Sequence, residues 1–403
     1  MSADKPCAAL EITNKAIKLV IGYEINGQVY VVYSLVKSLG KIREGASFID
    51  PQNTISNLET IKVIKDESAR ISINVAEAIV AIPPEDLKIY ETHQVTTVLS
   101  EESKVANIDI RNIYTLIRKG HLGLSTSNQF VDIIPDRYIL DQGRTSVAPP
   151  IGETTNTLTL YARVHTINRS TVEGFNEIVS GANINVKRNV VAPFAAAELL
   201  ATMEGIPQDY ILLDIGARKT TVSLIGRKQL HSSLIVDWGG DNITHKIQEQ
   251  FNIRESDAEK IKIMYGIDKR ETNFKAPVCI YHDEENKEHK YYIDDLTQII
   301  KSELDILIAK VNEGINNLLN GMNPAYKQLP MILIGGGSLL KGLEGYMLPK
   351  VQSATVTTVI PKVLGARNPA LFNCLGMLLV QSKYQAVFDE NHPKVGQVTR
   401  NAK

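Results

Sequence analysis

Cysteine is scarce in this chain: Cys7, Cys279 and Cys374 are odd in number, far apart and form no CxxC pair. That argues against a disulfide or zinc framework and for reduced thiols in a cytosol. Charge of one sign is also lacking. Lys and Arg total 44 against 45 for Asp and Glu, so nothing global would hold a polyphosphate backbone, and nucleic acid is not an expected partner. Long apolar runs are missing too, since even Val29 to Leu39 is broken by Tyr33, Ser34 and Lys37, which is short of a membrane-spanning helix. The start, Met1 to Pro6, is polar and lacks the basic and apolar regions of an export signal. A Walker phosphate loop, a GxSxG elbow, an HExxH helix and paired histidine ligands are all absent, which leaves hydrolase and metalloenzyme readings without residues.

What is present is core material, 43% hydrophobic over 403 residues, enough for several lobes. Cys7 to Leu10, Ala16 to Glu24 and Gln28 to Leu35 read as strands, with Glu24 to Gly27 as a hairpin turn. The segment Ser56 to Arg70 reads as a helix, and Glu77 to Ile82 as an apolar strand stopped by Pro83-Pro84. Glu101 to Arg118 carries helical spacing, while Phe130 to Leu140 and Leu158 to Thr166 read as strands of an α+β insert.

A second start follows helices at Asn168 to Ala182 and Pro193 to Met203 and the strand Asn183 to Val190 between them. Tyr210 to Leu213, Thr221 to Ile225 and Gln229 to Val236 repeat the opening meander, a long-period duplication that makes a cleft between two similar lobes. Lys275 to Ile293 reads as a surface hairpin. Beyond it, apolar residues at Leu296, Ile300, Leu304, Leu307, Val311, Ile315 and Leu318 put one stripe of a long helix on a core. Met331 to Ile334 is a buried strand, Gly335 to Gly337 a loop, Ser338 to Leu348 a helix, Ala354 to Ile360 a strand, and Asn373 to Gln381 a closing helix.

Two loops are candidates for chemistry. In Ile211 to Thr221, a buried strand delivers Asp214 at its end, Gly216 permits close approach of an anion, and Thr220 and Thr221 offer hydroxyls. Asp214 would hold Mg²⁺ through water; the plain alternative is a hairpin with an acidic corner. In Met331 to Leu340, three glycines precede Ser338, so backbone can lie flat against a planar or phosphorylated ligand. A dinucleotide fingerprint fails there, because Leu340 occupies its third glycine position and Thr357 and Thr358 stand where an acid is required.

Two acid-loop hairpins, a late triple glycine and small helices after each half resemble the actin, sugar-kinase and heat-shock-chaperone superfamily. Within it the sequence is most similar to the FtsA family. The motifs are Ile133-Ile134-Pro135-Asp136-Arg137-Tyr138, Pro150-Ile151-Gly152, Tyr161-Ala162-Arg163-Val164-His165, Gly239 to Thr244, and Ser256 to Lys262 with Tyr265-Gly266. The resemblance implies an actin-like, ribonuclease-H-like α/β fold of duplicated lobes with an inserted α+β subdomain. It divides the chain as 1–82 and 166–206 for the first lobe, 83–165 for the insert, 207–357 for the second lobe with an outer part at about 246–324, 358–385 as a closing segment and 386–403 as a flexible tail.

The family implies ATP and Mg²⁺ in the cleft. Asp214, Gly216, Lys219 and Thr220 would face the phosphates, Arg218 would be an extra phosphate clamp or point to solvent, and Thr13, Asn14, Lys15, Gly239, Gly240 and Leu340 would also bind the nucleotide. Glu259 and Lys262 would reach base and ribose, Gly335, Gly336 and Gly337 would contact the nucleoside, and Glu11 and Asp214 would hold the metal. It also implies a scaffold at the inner face of the cell membrane and the division site, at most a weak ATPase, that forms filaments and binds the C-terminal peptide of FtsZ through roughly Gln248 to Glu313. Two departures stand out. Glu11-Ile12-Thr13 replaces the family's Asp-Ile-Gly, and the tail Phe388 to Lys403, with Pro393 and Gly396, does not read as the family's basic amphipathic helix, so membrane attachment is expected from elsewhere. Competing readings are a pilus-assembly relative that engages a membrane-protein peptide, a small-molecule kinase of the same superfamily, and a descendant with an empty cleft.

Overall fold

The computed structural model describes residues 6–40, 50–66, 71–121, 127–268, 276–282, 286–321 and 328–384. The tail at 388–403, expected not to form the family's amphipathic helix, lies outside them. The chain divides into two compact units, Met1–Leu87 with Thr171–Leu379, and Lys88–Ser170 with Val380–Lys403.

The first unit contains two five-stranded sheets built on one plan. Its strands are β1 (Cys7–Ile12), β2 (Ala16–Ile25), β3 (Gln28–Ser38), β4 (Glu77–Ile82), β5 (Asn185–Val191), β6 (Tyr210–Ile215), β7 (Thr220–Gly226), β8 (Gln229–Val236), β9 (Met331–Ile334) and β10 (Val356–Thr358). The orders are β5-β4-β1-β2-β3 and β8-β7-β6-β9-β10. In each, three antiparallel meander strands continue into two parallel ones. The duplication expected from the repeated meander, and with it the actin-like α/β class, is thus present in the strand order itself.

Local chemistry explains the hairpins. Asn26 and Gly27 both take left-handed φ, 52° and 79°, the two-residue turn that matches strand twist. Its counterpart uses Arg227 and Lys228, at φ 50° and 62°. These larger residues are held by Asp209 Oδ1, which accepts the Arg227 amide at 2.8 Å, and by Gln208 O, which accepts that of Lys228 at 2.8 Å.

The long helix Ile293–Leu318 buries the expected stripe, Leu296, Ile300, Leu304, Leu307, Val311 and Ile315, in the core of the second sheet. Helix Phe372–Lys383 meets helix Ala192–Ala201 at Gly376, where an added Cβ would stand 1.8 Å from the Ala195 carbonyl oxygen. Only a residue without a side chain permits that approach.

Two readings need correction. Ser56 to Arg70 is not one helix: Asp50 caps a helix Pro51–Ile61 by accepting the Asn53 amide, and a small hairpin Val63–Asp66 with Ile71–Asn74 follows. An Asp-Pro start and β-branched alternation are the signals behind that outcome. Ser338 to Leu348 is also interrupted. A 3₁₀ turn at Gly336–Leu339 is separated from the short helix Leu343–Met347 by Gly342, whose φ of 86° breaks the helical path.

The second unit is an antiparallel sheet of Lys88–Thr97, Thr157–Asn168, Asn128–Ile139 and Thr145–Ser146, in that order, with helix Asn107–His121 beside it. The strand Lys88–Thr97 was not anticipated; it alternates polar and apolar residues weakly. Asp109 accepts the amides of Leu99 (3.0 Å) and Ala106 (2.9 Å), which ties the helix start to the preceding loop. Burial pushes the Tyr138 hydroxyl, hydrogen-bonded to Tyr114 at 2.9 Å, up to about 12. Among the described residues no helix is long and apolar enough to cross a membrane.

Candidate functional site

The two meanders turn in the same way. Thr13 N donates to Ala16 O at 2.9 Å, and Gly216 N donates to Lys219 O at 3.0 Å, closing spans that begin at the register pairs Ile12–Ile17 and Ile215–Thr220. Glu11 therefore corresponds to Asp214, Thr13 to Gly216 and Lys15 to Arg218. The Thr13 hydroxyl is spent on its own turn, donating to Ala16 O (3.0 Å) and accepting from Ala16 N (3.1 Å).

Beneath these turns lies a polar cluster in which Glu11 and Asn373 are buried and Lys18 and Asp214 half-buried. Glu11 and Lys18 face each other across the β1–β2 ladder, with Lys18 Nζ 3.1 Å from Glu11 Oε2. Asn373 Nδ2 donates both to Glu11 Oε1 (2.9 Å) and to Asp214 Oδ2 (3.1 Å), joining the two meanders through the last helix. Burial works against the charge of Lys18, but the attraction of Glu11 and then Asp214 outweighs it and holds the ammonium above its usual range. Asp214 moves the other way from most carboxylates: burial raises it, and Lys18 offsets this only in part.

Above the cluster is a cavity of about 430 Å³, within the range of small-molecule sites. Its polar lining includes Lys15, Asp241, Glu259 and Lys262, and its backbone lining Gly216, Ala217, Gly240, Gly336 and Gly337. The rest is largely apolar: Trp238, Ile263, Leu304, Leu307, Leu339, Leu340 and Leu343 are among it. Lys15 Nζ reaches across to Asp241 (2.6 Å) and Glu255 (3.2 Å). Burial opposes its charge, and these two carboxylates outweigh that, so its pKa is raised. Lys262 is nearly enclosed and donates to Glu259 Oε2 (2.7 Å), Thr244 Oγ1 (2.8 Å) and Gly240 O (3.1 Å). All three of its donors are engaged. Burial would raise the Glu259 carboxyl, but Lys262 more than offsets it and the net direction is down.

Of the residues expected at the nucleotide, Lys15, Gly216, Gly240, Glu259, Lys262, Gly336, Gly337 and Leu340 line this cavity. Thr13, Asn14, Arg218, Lys219, Thr220, Gly239 and Gly335 do not, and neither do Glu11 and Asp214, expected at the metal. Lys219 is paired with Glu85 at 3.0 Å, Arg218 Nε lies 4.0 Å from Asp241 Oδ2, and Thr220 Oγ1 donates to Trp238 O at 2.8 Å. Gly239 and Gly335 serve packing: a Cβ would stand 2.3 Å from Ala217 O and 2.3 Å from Asp214 Oδ1, respectively. Gly336, by contrast, has open space around it.

Lys18, Asn373, Asp241 and Trp238 were not anticipated. A lysine inside an apolar strand and an asparagine opening an apolar helix are the signals that mark the first two. Trp238 is 2% exposed, and its indole nitrogen is a buried donor with no partner among the described residues. A buried donor without a partner costs free energy, which marks this side chain as one placed by packing against the cavity wall rather than by hydrogen bonding.

The cavity's size, its apolar end and its three glycine-bearing edges fit a nucleotide. The carboxylate pair does not fit a magnesium site. Three of its four oxygens have partners in Lys18 and Asn373, it does not line the cavity, and magnesium demands near-octahedral oxygen donors.

Residues 211–376 match the family model for cell division protein FtsA. FtsA of Enterococcus faecalis is 23% identical over 389 residues, covering 94% of this chain and 84% of that protein, and FtsA of Bacillus subtilis is 21% identical with the same coverages. Among solved structures, the PilM–PilN type IV pilus biogenesis complex aligns with TM-score 0.57 at 16% identity, over 94% of this chain and 98% of that one. Spiroplasma citri MreB5 bound to AMPPNP aligns with TM-score 0.50 at 12% identity, over 96% and 99%. Fold and sequence likeness agree: the chain has an actin-like fold and is similar to the FtsA cell-division proteins.

Proposed function

We propose that this chain is an ATP-binding cell-division scaffold, which assembles into filaments along the inner face of the cell membrane and tethers FtsZ there. The observation that carries the reading is the cavity between Lys15 of the first meander and the Gly216, Gly240 and Gly336 edges of the second, in a chain similar to FtsA over nearly its whole length.

Ile263, Leu339 and Leu340 would hold the base, the Gly336–Gly337 backbone would lie against the nucleoside, and Lys15 with the Gly216–Ala217 turn would take the phosphates. Phosphate oxygens would compete with Asp241 and Glu255 for the Lys15 ammonium. Because Lys15 comes from the first meander and the other groups from the second, a bound nucleotide would bias how the two sheets meet, and through them the surfaces used for assembly.

Trp238 is the chain's single tryptophan and lines the cavity, so its fluorescence tests the reading without a label. ATP should change that emission saturably, and the chain should pellet with FtsZ polymers in the presence of ATP. An emission indifferent to millimolar ATP would end the nucleotide half, and a chain left wholly in the supernatant would end the FtsZ half.

A further inference from the structure

Glu11 stands in the first meander where Asp214 stands in the second, and the structure shows what the longer acid meets. Glu11 and Lys18 are directly opposed in the β1–β2 register, so their side chains leave the same face of the sheet. The one carboxylate of Glu11 meets two partners, Lys18 on Oε2 and Asn373 on Oε1. Asn373 then extends the same amide nitrogen to Asp214 Oδ2. The remaining oxygen, Asp214 Oδ1, lies beside the turn at Gly335, where a carbon added to that glycine would stand 2.3 Å from it. Lys18, at 12% side-chain exposure, has little room to withdraw.

An ammonium in that position repels a divalent cation with twice the force it would exert on a monovalent one, and it already cancels one of the two negative charges that would attract the metal. We infer that Lys18 is the resident cation of this cleft, standing on the Glu11–Asp214 pair in place of Mg²⁺, so that the chain takes its nucleotide without a divalent metal. The second clause rests on the nucleotide reading above; the first does not.

The test separates the two. Mn²⁺ is titrated into the ligand-free full chain and into Lys18→Met, with free Mn²⁺ followed by electron paramagnetic resonance. Removing the ammonium leaves two carboxylates with no fixed cation, and the variant should gain affinity for one Mn²⁺ of about tenfold or more, while the parent holds none at the same concentrations. In parallel, ATP is titrated into the parent with Mg²⁺ and with EDTA, read by Trp238 emission. The two affinities should agree within about twofold, since a required metal costs far more than that when removed.

A parent that binds one Mn²⁺ as tightly as Lys18→Met overturns the resident-cation claim. Loss of about tenfold or more in ATP affinity on adding EDTA overturns the metal-free claim. ATP that fails to bind under either condition refutes the metal-free claim together with the nucleotide reading, and the Mn²⁺ arm still decides the role of Lys18. Both parent measurements stand even where Lys18→Met fails to fold.

Discussion

Lys15 Nζ sits 2.6 Å from Asp241 Oδ1, so the turn of the first meander is pinned to the start of helix Gly240–Phe251 in the second. A reciprocal contact runs the other way, from Lys219 in the second turn to Glu85 beyond β4. With ammonium groups 29% and 39% exposed, each pair contributes on the order of 1 kcal/mol or less. Their consequence is local opening. Lys15→Ala should speed amide exchange around residues 13–16 and 240–243 while moving the urea midpoint only slightly. Unchanged exchange in both segments would show that the pair holds nothing.

Packing at Gly376 offers a sharper test, because the neighbour that a side chain would strike is backbone rather than a movable tip. Gly376→Ala should destabilise the chain by about 1–3 kcal/mol or more, as overpacking does where nothing can shift. Gly345, in helix Leu343–Met347, has open space around it. Gly345→Ala should be neutral or slightly stabilising, and equal urea midpoints for the two variants would refute the close-approach account.

The symmetry of the fold was visible in the chain because each meander repeats strand, acid, tight turn and strand, and because the turn residues Asn26-Gly27 have few other uses. The long helix was visible through its apolar period. What stayed hidden are long-range pairings. Nothing local tells that Asn373 bridges Glu11 and Asp214, 362 and 159 residues away, or that a side chain at Gly335 would meet the Asp214 carboxylate. The metal expectation drew on one loop for Asp214 and on a family resemblance for Glu11, and only the fold shows Lys18 against Glu11.

Within the second unit, Asp141 has a pH signature. The Asn156 amide at 2.7 Å, then the Thr157 hydroxyl at 2.7 Å, hold its carboxyl at about 2. A carboxyl depressed on folding contributes stability that is complete above its ordinary value, near 3.8, and is lost as pH falls toward 2. The Asp141 resonance should therefore titrate near 2 by carboxyl NMR, and Asp141→Asn should lose that part of the acid dependence. A midpoint near 4 would mean the loop hydrogen bonds do not persist in solution.

The three thiols report on opening. Burial raises all of them: Cys7 and Cys279 are half-buried, whereas Cys374 is fully enclosed, raised well above its ordinary value, and 3.6 Å from Lys18 O. Since only the thiolate reacts, alkylation of native protein should be slow everywhere and slowest at Cys374. That residue lies in helix Phe372–Lys383, one position from Asn373 and two from Gly376, so its exposure requires pulling the last helix away from both sheets. Followed by mass spectrometry across a urea series, Cys374 labelling should rise together with global unfolding, behind Cys279. If Cys374 instead labels as fast as Cys279 in native buffer, the helix opens on its own and the Asn373 bridge between the two carboxylates is a transient contact.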